Sequence, residues 1–238
     1  MKLLGIDSSS LAASCALNDG GALLGEYFIH NKMTHSQTLM PMVRELLLRT
    51  DTSLSGLDAL AVTVGPGSFT GLRIGIASAK GLAMGADKPC VALSTLESLA
   101  FNLGGFEGVI CPAMDARRQQ VYTALFKVQA GRSARLTGDM ALPLAQLAKL
   151  LEERREPVIF VGDGAALCYN EFGRAAGYLL APEALRHQRA SSVCAAALAA
   201  LEENPQRLIC ADALEPAYLR LPQAERELLE KQREAEKL

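Results

Sequence analysis

The chain has 238 residues, half of them apolar, and its 24 basic and 26 acidic side chains leave a formal charge of −2. That length buries a sizeable core, as one large domain or two small lobes. Near-balanced charge argues against wholesale electrostatic capture of nucleic acid or of an anionic membrane, so any RNA contact would come from a local patch or a partner. The N-terminus enters a strand directly, without signal-peptide architecture, and no uninterrupted apolar run is long enough to span a bilayer. Cys15, Cys90, Cys111, Cys168, Cys194 and Cys210 are scattered with no C-x-x-C pair. They fit buried free thiols in a reducing cytoplasm better than a disulfide framework.

In chain order, Leu3-Leu4-Gly5-Ile6 reads as a short strand running into the polar turn Asp7-Ser8-Ser9-Ser10. Ser14 to Leu17 alternates apolar and small residues, Asn18-Asp19-Gly20-Gly21 is a strong turn signal, and Ala22 to His30 is the return strand. The chain thus opens with a three-stranded antiparallel unit. A helix follows to about Arg49, capped by Thr34 or Ser36, with Pro41 tolerable only near its start. Leu60 to Val64 is a buried strand, Gly65-Pro66-Gly67-Ser68-Phe69-Thr70-Gly71 a glycine-punctuated loop, and Leu72 to Ala86 a helix rich in small residues. Strand, glycine loop and helix start form a general arrangement for anions, or equally a tight strand-to-helix turn. It is not a Walker loop, because no Lys-Ser/Thr pair follows the last glycine. Pro89 to Ser94 is a further strand and Thr95 to Asn102 a helix, giving the order βββαβαβα.

The pattern then restarts more faintly. Val109 to Asp115 is again a strand ending in Asp, Val121 to Val128 a strand, Leu144 to Arg154 an amphipathic helix, and Val158 to Gly164 repeats the strand–Gly-x-Gly pattern. Ser191 to Glu203 is an alanine-rich helix, Leu219-Arg220-Leu221-Pro222 closes the fold, and residues 223–238 form a mixed-charge tail, helical or disordered. This reading divides the chain into a lobe of residues 1–104 and a smaller lobe of residues 105–189, joined by the helix at about 190–204.

Two α/β lobes of this kind, each a mixed sheet with helices, resemble the actin/Hsp70/sugar-kinase fold. In that fold, loops after the first strands of both lobes hold nucleotide phosphates. The resemblance implies that Asp7 and Asp115 face one cleft, where paired carboxylates organise a divalent metal.

Four stretches carry a closer resemblance. They are Gly5-Ile6-Asp7-Ser8-Ser9, His35-Ser36-Gln37-Thr38-Leu39-Met40-Pro41, the run from Gly65 to Gly75, and Ala79-Lys80-Gly81-Leu82-Ala83. Together they are similar to the bacterial TsaB (YeaZ) family. The likeness extends through about Pro222. It implies a subunit of the machinery that installs threonylcarbamoyl on N6 of adenosine 37 in tRNA. Members of that family pair with a paralogous transferase, TsaD, and are joined by an ATPase, TsaE.

TsaD-like proteins carry an Asn-His-Leu-Glu-Gly-His segment whose two His bind the catalytic metal. This chain reads Ser94-Thr95-Leu96-Glu97-Ser98-Leu99 there, with Thr95 and Leu99 in place of the imidazoles. His30, His35 and His187 make no i, i+3 or i, i+4 pair. The expectation is a catalytically silent paralogue, without catalytic or metal-binding residues, that works through its surface.

On the first helix Leu39, Met40, Met42, Val43, Leu46 and Leu47 cover roughly 160° of arc, wider than the ~100° that one packed face needs. On the second, Gly71, Gly75, Ala79 and Ala83 recur every four residues as a small ridge open to close helix approach. Periodicity alone also allows a helix sandwiched within its own domain. The family resemblance favours an interface with TsaD through Leu39, Met40, Val43, Leu46, Leu47, Gly71, Gly75, Ala79, Leu82 and Ala83, with a homodimer when TsaD is missing. The isolated chain is expected to bind no cofactor, with ATP or ADP at the joint with TsaD near Gly67, Ser68 and Arg73. tRNA would be reached through the complex, and Arg117-Arg118 and Arg132-x-x-Arg135 read as solvated groups rather than RNA contacts. The rival readings are an ATP-dependent phosphotransferase using Asp7 and Asp115 with Mg²⁺, and a metallopeptidase.

Overall fold

The structure, a computed structural model, describes residues 1–31, 33–130 and 132–220. The charged tail at 223–238 and the Leu221-Pro222 end of the closing segment lie outside the described residues. The first half runs β1 (Lys2–Asp7), β2 (Ala12–Asp19), β3 (Ala22–His30), α1 (His35–Arg49), β4 (Ala59–Gly65), α2 (Phe69–Ala86), β5 (Cys90–Ser94) and α3 (Thr95–Phe101). This is the expected order. The β2–β3 turn closes through Gly20 and Gly21, whose φ of 58° and 94° suit a two-residue hairpin. The second half runs β6 (Gly108–Asp115), β7 (Gln120–Thr123), β8 (Phe126–Gln129), β9 (Arg132–Arg135), β10 (Met140–Pro143), α4 (Leu144–Glu152), β11 (Val158–Val161), α5 (Ala165–Cys168), β12 (Leu179–Leu180), α6 (Glu183–Arg186), α7 (Ala190–Glu203) and β13 (Leu208–Ile209).

The first sheet has the order β13-β5-β4-β1-β2-β3, with β1, β4 and β5 parallel and β2, β3 and β13 antiparallel to their neighbours. The second, β10-β7-β6-β11-β12, repeats this plan around β6 as the counterpart of β1. One departure from the sequence reading lies here. The strand expected over Val121 to Val128 is broken at Ala124-Leu125 into β7 and β8, which pair with β6 in one continuous register. The break lets the outer edge be shared, β10 lying on β7 and β9 on β8. Thr137 Oγ1 and the Leu136 N–H satisfy the Leu125 backbone at the gap, at 2.9 and 2.8 Å.

Alternation along the strands sends side chains to opposite faces. Leu4, Ile6, Leu60 and Val62 meet α1 and α2, whereas Leu3, Ala59, Ala61 and Leu93 meet α7. The second sheet presents Ile110, Met114 and Val161 to α3, and Val109, Cys111 and Phe160 to α4 and α5. The molecule is therefore five layers deep, with α3 and α7 packed against each other between the sheets. α3, the last helix of the first half, covers the second sheet, and α7 covers the first.

Candidate functional site

The strand ends β1, β4 and β6 and the start of α2 meet at a cleft of about 340 Å³ between the lobes. From the first lobe Ser9, Ser10, Gly67, Ser68 and Phe69 line it, and from the second Asp115, Arg117, Tyr122 and Asp163. The glycine loop is held by backbone contact with the turn after β1. The Ser68 N–H donates to Ser9 O at 2.7 Å, and Ser8 Oγ donates to Gly71 O at 2.8 Å. A Cβ at Gly67 or Gly71 would overlap the carbonyl oxygens of Ser9 or Ser8. Ser68 caps α2, its Oγ accepting from the Gly71 N–H at 3.3 Å and its carbonyl from the Leu72 N–H at 2.8 Å. The Ser68 and Gly71 amides are thus engaged within the fold.

The carboxylates are distributed differently from the expectation. Asp7 does not line the cleft. It is buried at the end of β1, accepting from Ser9 N and Ser9 Oγ at 2.9 Å each and from Thr63 Oγ1 at 2.8 Å. Burial pushes its carboxyl above the usual range, and these bonds pull the other way. Asp115 meets Asp163 instead, the residue between the two glycines after β11. Burial, helped by the charge of Asp115, pushes the Asp163 carboxyl up to about 6, opposed by the Asp115 N–H and His187. One Asp163 oxygen is buried with no partner among the described residues. Asp115 is occupied by Arg117, whose N–H reaches Oδ1 at 2.7 Å and whose guanidinium lies 3.2 Å from Oδ2. The signal for Asp163 was present in the repeated strand–Gly-x-Gly pattern, which the sequence reading used for topology alone.

Hydroxyls in the cleft are also committed. Ser9 Oγ donates to Asp7, and Ser10 Oγ to Gln188 Oε1 at 2.7 Å. Thr95 and Leu99 are wholly buried on α3, Leu99 in the core against the second sheet. Among the described residues no group of three or more His, Cys, Asp or Glu side chains is placed to hold a metal ion. His30 and His187, unrelated in sequence spacing, lie with ring centroids 4.4 Å apart and planes inclined at 53°, and His187 Nε2 lies 3.0 Å from Glu183 Oε1. His35 Nε2 lies 2.6 Å from Ser10 O and so ties α1 to the β1–β2 turn. Arg135 is paired with Asp139 at 2.6 Å. Five of the six cysteines are buried free thiols and Cys210 is exposed.

The helical surface needs a larger correction. Leu39, Val43 and Leu46 are fully buried against the first sheet, as are Gly71, Gly75, Ala79 and Ala83. The small ridge faces the chain's own core, because α2 must approach the β1 end closely: Cβ atoms at Gly71 and Gly75 would strike Ser8. Of the residues expected at the interface, Met40 is exposed and Leu47 and Leu82 are half-buried. Around them the outer face of α1 adds Pro41 and Leu48, the latter 65% exposed, and that of α2 adds Ile74, Ala77, Gly81, Met84 and Gly85. A Cβ at Gly81 or Gly85 would meet nothing within 4 Å. Arg73 lines a different cavity from Gly67 and Ser68. It is exposed on α2, its Nε–H donating to Tyr218 Oη at 2.9 Å.

Two lobes of matching topology, with a cleft where the β1 and β6 ends meet, define a protein of the actin/Hsp70/sugar-kinase class. Comparison with known proteins narrows this. The family model described as "TsaD: tRNA N6-adenosine threonylcarbamoyltransferase" matches residues 24–228. The "tRNA threonylcarbamoyladenosine biosynthesis protein TsaB" of Bacillus subtilis (strain 168) is 40% identical over 167 residues, covering 70% of this chain and 73% of that protein. The protein of the same name from Escherichia coli (strain K12) is 42% identical over 53% of this chain and 55% of its own length. The solved structure "YeaZ from Pseudomonas aeruginosa" superposes with a TM-score of 0.76 at 30% identity, covering 92% of this chain and 99% of that one. The chain belongs to the TsaB (YeaZ) family, relatives of the TsaD transferases. No described helix is long and apolar enough to cross a membrane.

Proposed function

We propose that this chain is the non-catalytic, activating subunit of a cytoplasmic assembly that makes N6-threonylcarbamoyladenosine in tRNA, and that it grips a TsaD-like transferase through the outer faces of α1 and α2. The observation that carries the reading is the pair Gly81 and Gly85, exposed in mid-helix and late helix where nothing in the chain needs a missing side chain. An exposed helical glycine costs about 1 kcal/mol against alanine. Its benefit lies outside the chain, where Ala77, Gly81 and Gly85 let a partner helix come close, flanked by Met40, Leu48 and Met84 as adaptable apolar contacts. The same face serves a homodimer when the transferase is missing.

What supports the non-catalytic half of the reading is that the Ser9 and Ser10 hydroxyls and the Ser68 and Gly71 amides are tied into the fold. Gly67 and Ser68 line the cleft, whereas Arg73 lines the groove on the outer side of α2. An ATP or ADP of the complex would therefore sit at the joint with the transferase and draw its phosphate contacts from that subunit. A TsaE-like ATPase completes the assembly, and tRNA is reached through the complex.

The test is reconstitution with transferase, ATPase and threonylcarbamoyl-adenylate, with association followed by size exclusion and light scattering. Leu48→Glu and Ala77→Arg lie on the surface and should leave the isolated fold intact. They are expected to weaken association at least tenfold and to lower tRNA modification in step. Wild-type association and modification in both variants would overturn the interface. Modification by this chain without the transferase would overturn the non-catalytic role.

A further inference from the structure

After α7 and β13 the described chain runs on from the first lobe to the second. Ala211 and Leu214 anchor it in the core beside α2, packed with Leu72, Ile76 and Ala79. From there it crosses the mouth of the glycine loop. The Ala217 N–H donates to Val64 O at 2.8 Å, and Gly65, with φ of 139°, lies so close beneath that a Cβ would overlap the Ala217 carbonyl. Tyr218 stacks on Phe69 with centroids 4.4 Å apart, and its hydroxyl accepts from Arg73 Nε. Arg220 then reaches the second lobe, NH1 donating to Ala116 O at 2.8 Å in the β6–β7 hairpin.

We infer that residues 214–220 form a strap that clamps the two lobes across the cleft, and that its hold is set at the outer surface of α2 by Arg73. The strap shares walls with the cleft, since Gly67, Phe69 and Tyr122 line both the cleft and the narrow space beneath it. Arg220 supplies its hydrogen bond into the second lobe, so the strap's position decides whether that bond forms. This position rests on Tyr218, a ring held on one side by Phe69 and at its hydroxyl by Arg73. Beside it, Arg73, Ala77 and Lys80 form an open groove with Glu215 and Pro216. Loss of the Arg73–Tyr218 bond would loosen the strap and free the β6–β7 hairpin. The inference goes beyond the proposed function, because it links the outer surface of α2 to the cleft within the chain itself.

Amide hydrogen exchange on the isolated chain tests it. Arg73→Ala removes an exposed side chain that belongs to the first lobe. It is expected to speed exchange at residues 116–122 severalfold, and Arg220→Ala to do the same, while β1 and β4 stay protected. Tyr218→Phe keeps the ring and deletes the hydroxyl. It should reproduce the Arg73→Ala effect, and the double variant should add little to either single one. Exchange changes confined to α2 in Arg73→Ala, or additive effects in the double variant, would overturn the inference. Neither measurement uses the transferase, so the strap stands or falls independently of the proposed interface.

Discussion

Asp163 is the residue whose surroundings make the most of its chemistry. It stands between two glycines at the end of β11, beside Asp115, with one oxygen buried and unpartnered among the described residues. Its carboxyl is pushed up to about 6 in the folded chain, against an ordinary value of 3.8. The folded state therefore holds this proton over a range where the unfolded chain has released it, and stability falls as pH rises from about 4 to about 6. Asp163→Asn removes the charge that burial opposes. We expect the variant to be more stable than the parent at pH 7, by about 1–2 kcal/mol, with the gap closing near pH 4. Denaturant melts at the two pH values check this, and an equal gap at both would refute it. At this scale the sequence was partly legible. The strand ending in Asp7 was found, but not that Thr63 would join Ser9 in absorbing its carboxylate, because the Thr63 bond depends on β4 lying beside β1.

At the scale of elements, the order of strands and helices in the first lobe could be read from turn signals and apolar alternation, which are local. What could not be read was which side of α2 faces what. The helix carries two small ridges, Gly71-Gly75-Ala79-Ala83 inward and Ala77-Gly81-Gly85 outward. Periodicity locates a ridge without saying what meets it. The inward one is needed because Ser8 lies against Gly71 and Gly75. The outward one is unused within the chain, which gives a prediction of opposite signs. Gly81→Ala should raise the stability of the isolated chain by about 1 kcal/mol, a Tm gain of about 2–4 °C. Gly81→Leu should leave it folded but unable to pair with the transferase. Calorimetry and light scattering together read both, and a Gly81→Leu chain that pairs normally would contradict the close-approach argument. The short strands β9, β10, β12 and β13 escaped the sequence reading because they are two to four residues long and hold their place only through neighbours.

For the whole molecule, the question is what fixes the joining helix α7 on the first sheet. Glu26 on β3 reaches the start of α7, where its carboxylate accepts from the Ser191 N–H and hydroxyl at 2.9 and 2.8 Å and pairs with Arg189. It supplies an N-terminal cap from a distant strand and shields a guanidinium. Glu26→Ala leaves the start of α7 uncapped and Arg189, itself about a third exposed, with only Ala184 O and the Phe28 ring, and is expected to cost about 2 kcal/mol, seen as an earlier denaturant midpoint. A loss below about 0.5 kcal/mol would mean that water replaces the carboxylate without penalty. The two-lobed plan itself was legible because the strand–Asp and strand–Gly-x-Gly patterns recur in order. The strap over the cleft was not, since its contacts join positions more than a hundred residues apart.

The crossing of α3 and α7 has a further consequence for how the chain is made. As the polypeptide leaves the ribosome, the segment through Phe101 already contains β1 to β5 with α1 and α2, yet one face of that sheet stays bare. The helix that shields it is translated only from Ala190 onward, while α3 waits uncovered for a sheet not yet synthesised. Each half therefore relies on a helix from elsewhere in the chain to cover one face of its sheet, and the first sheet is shielded on both faces only once α7 is made.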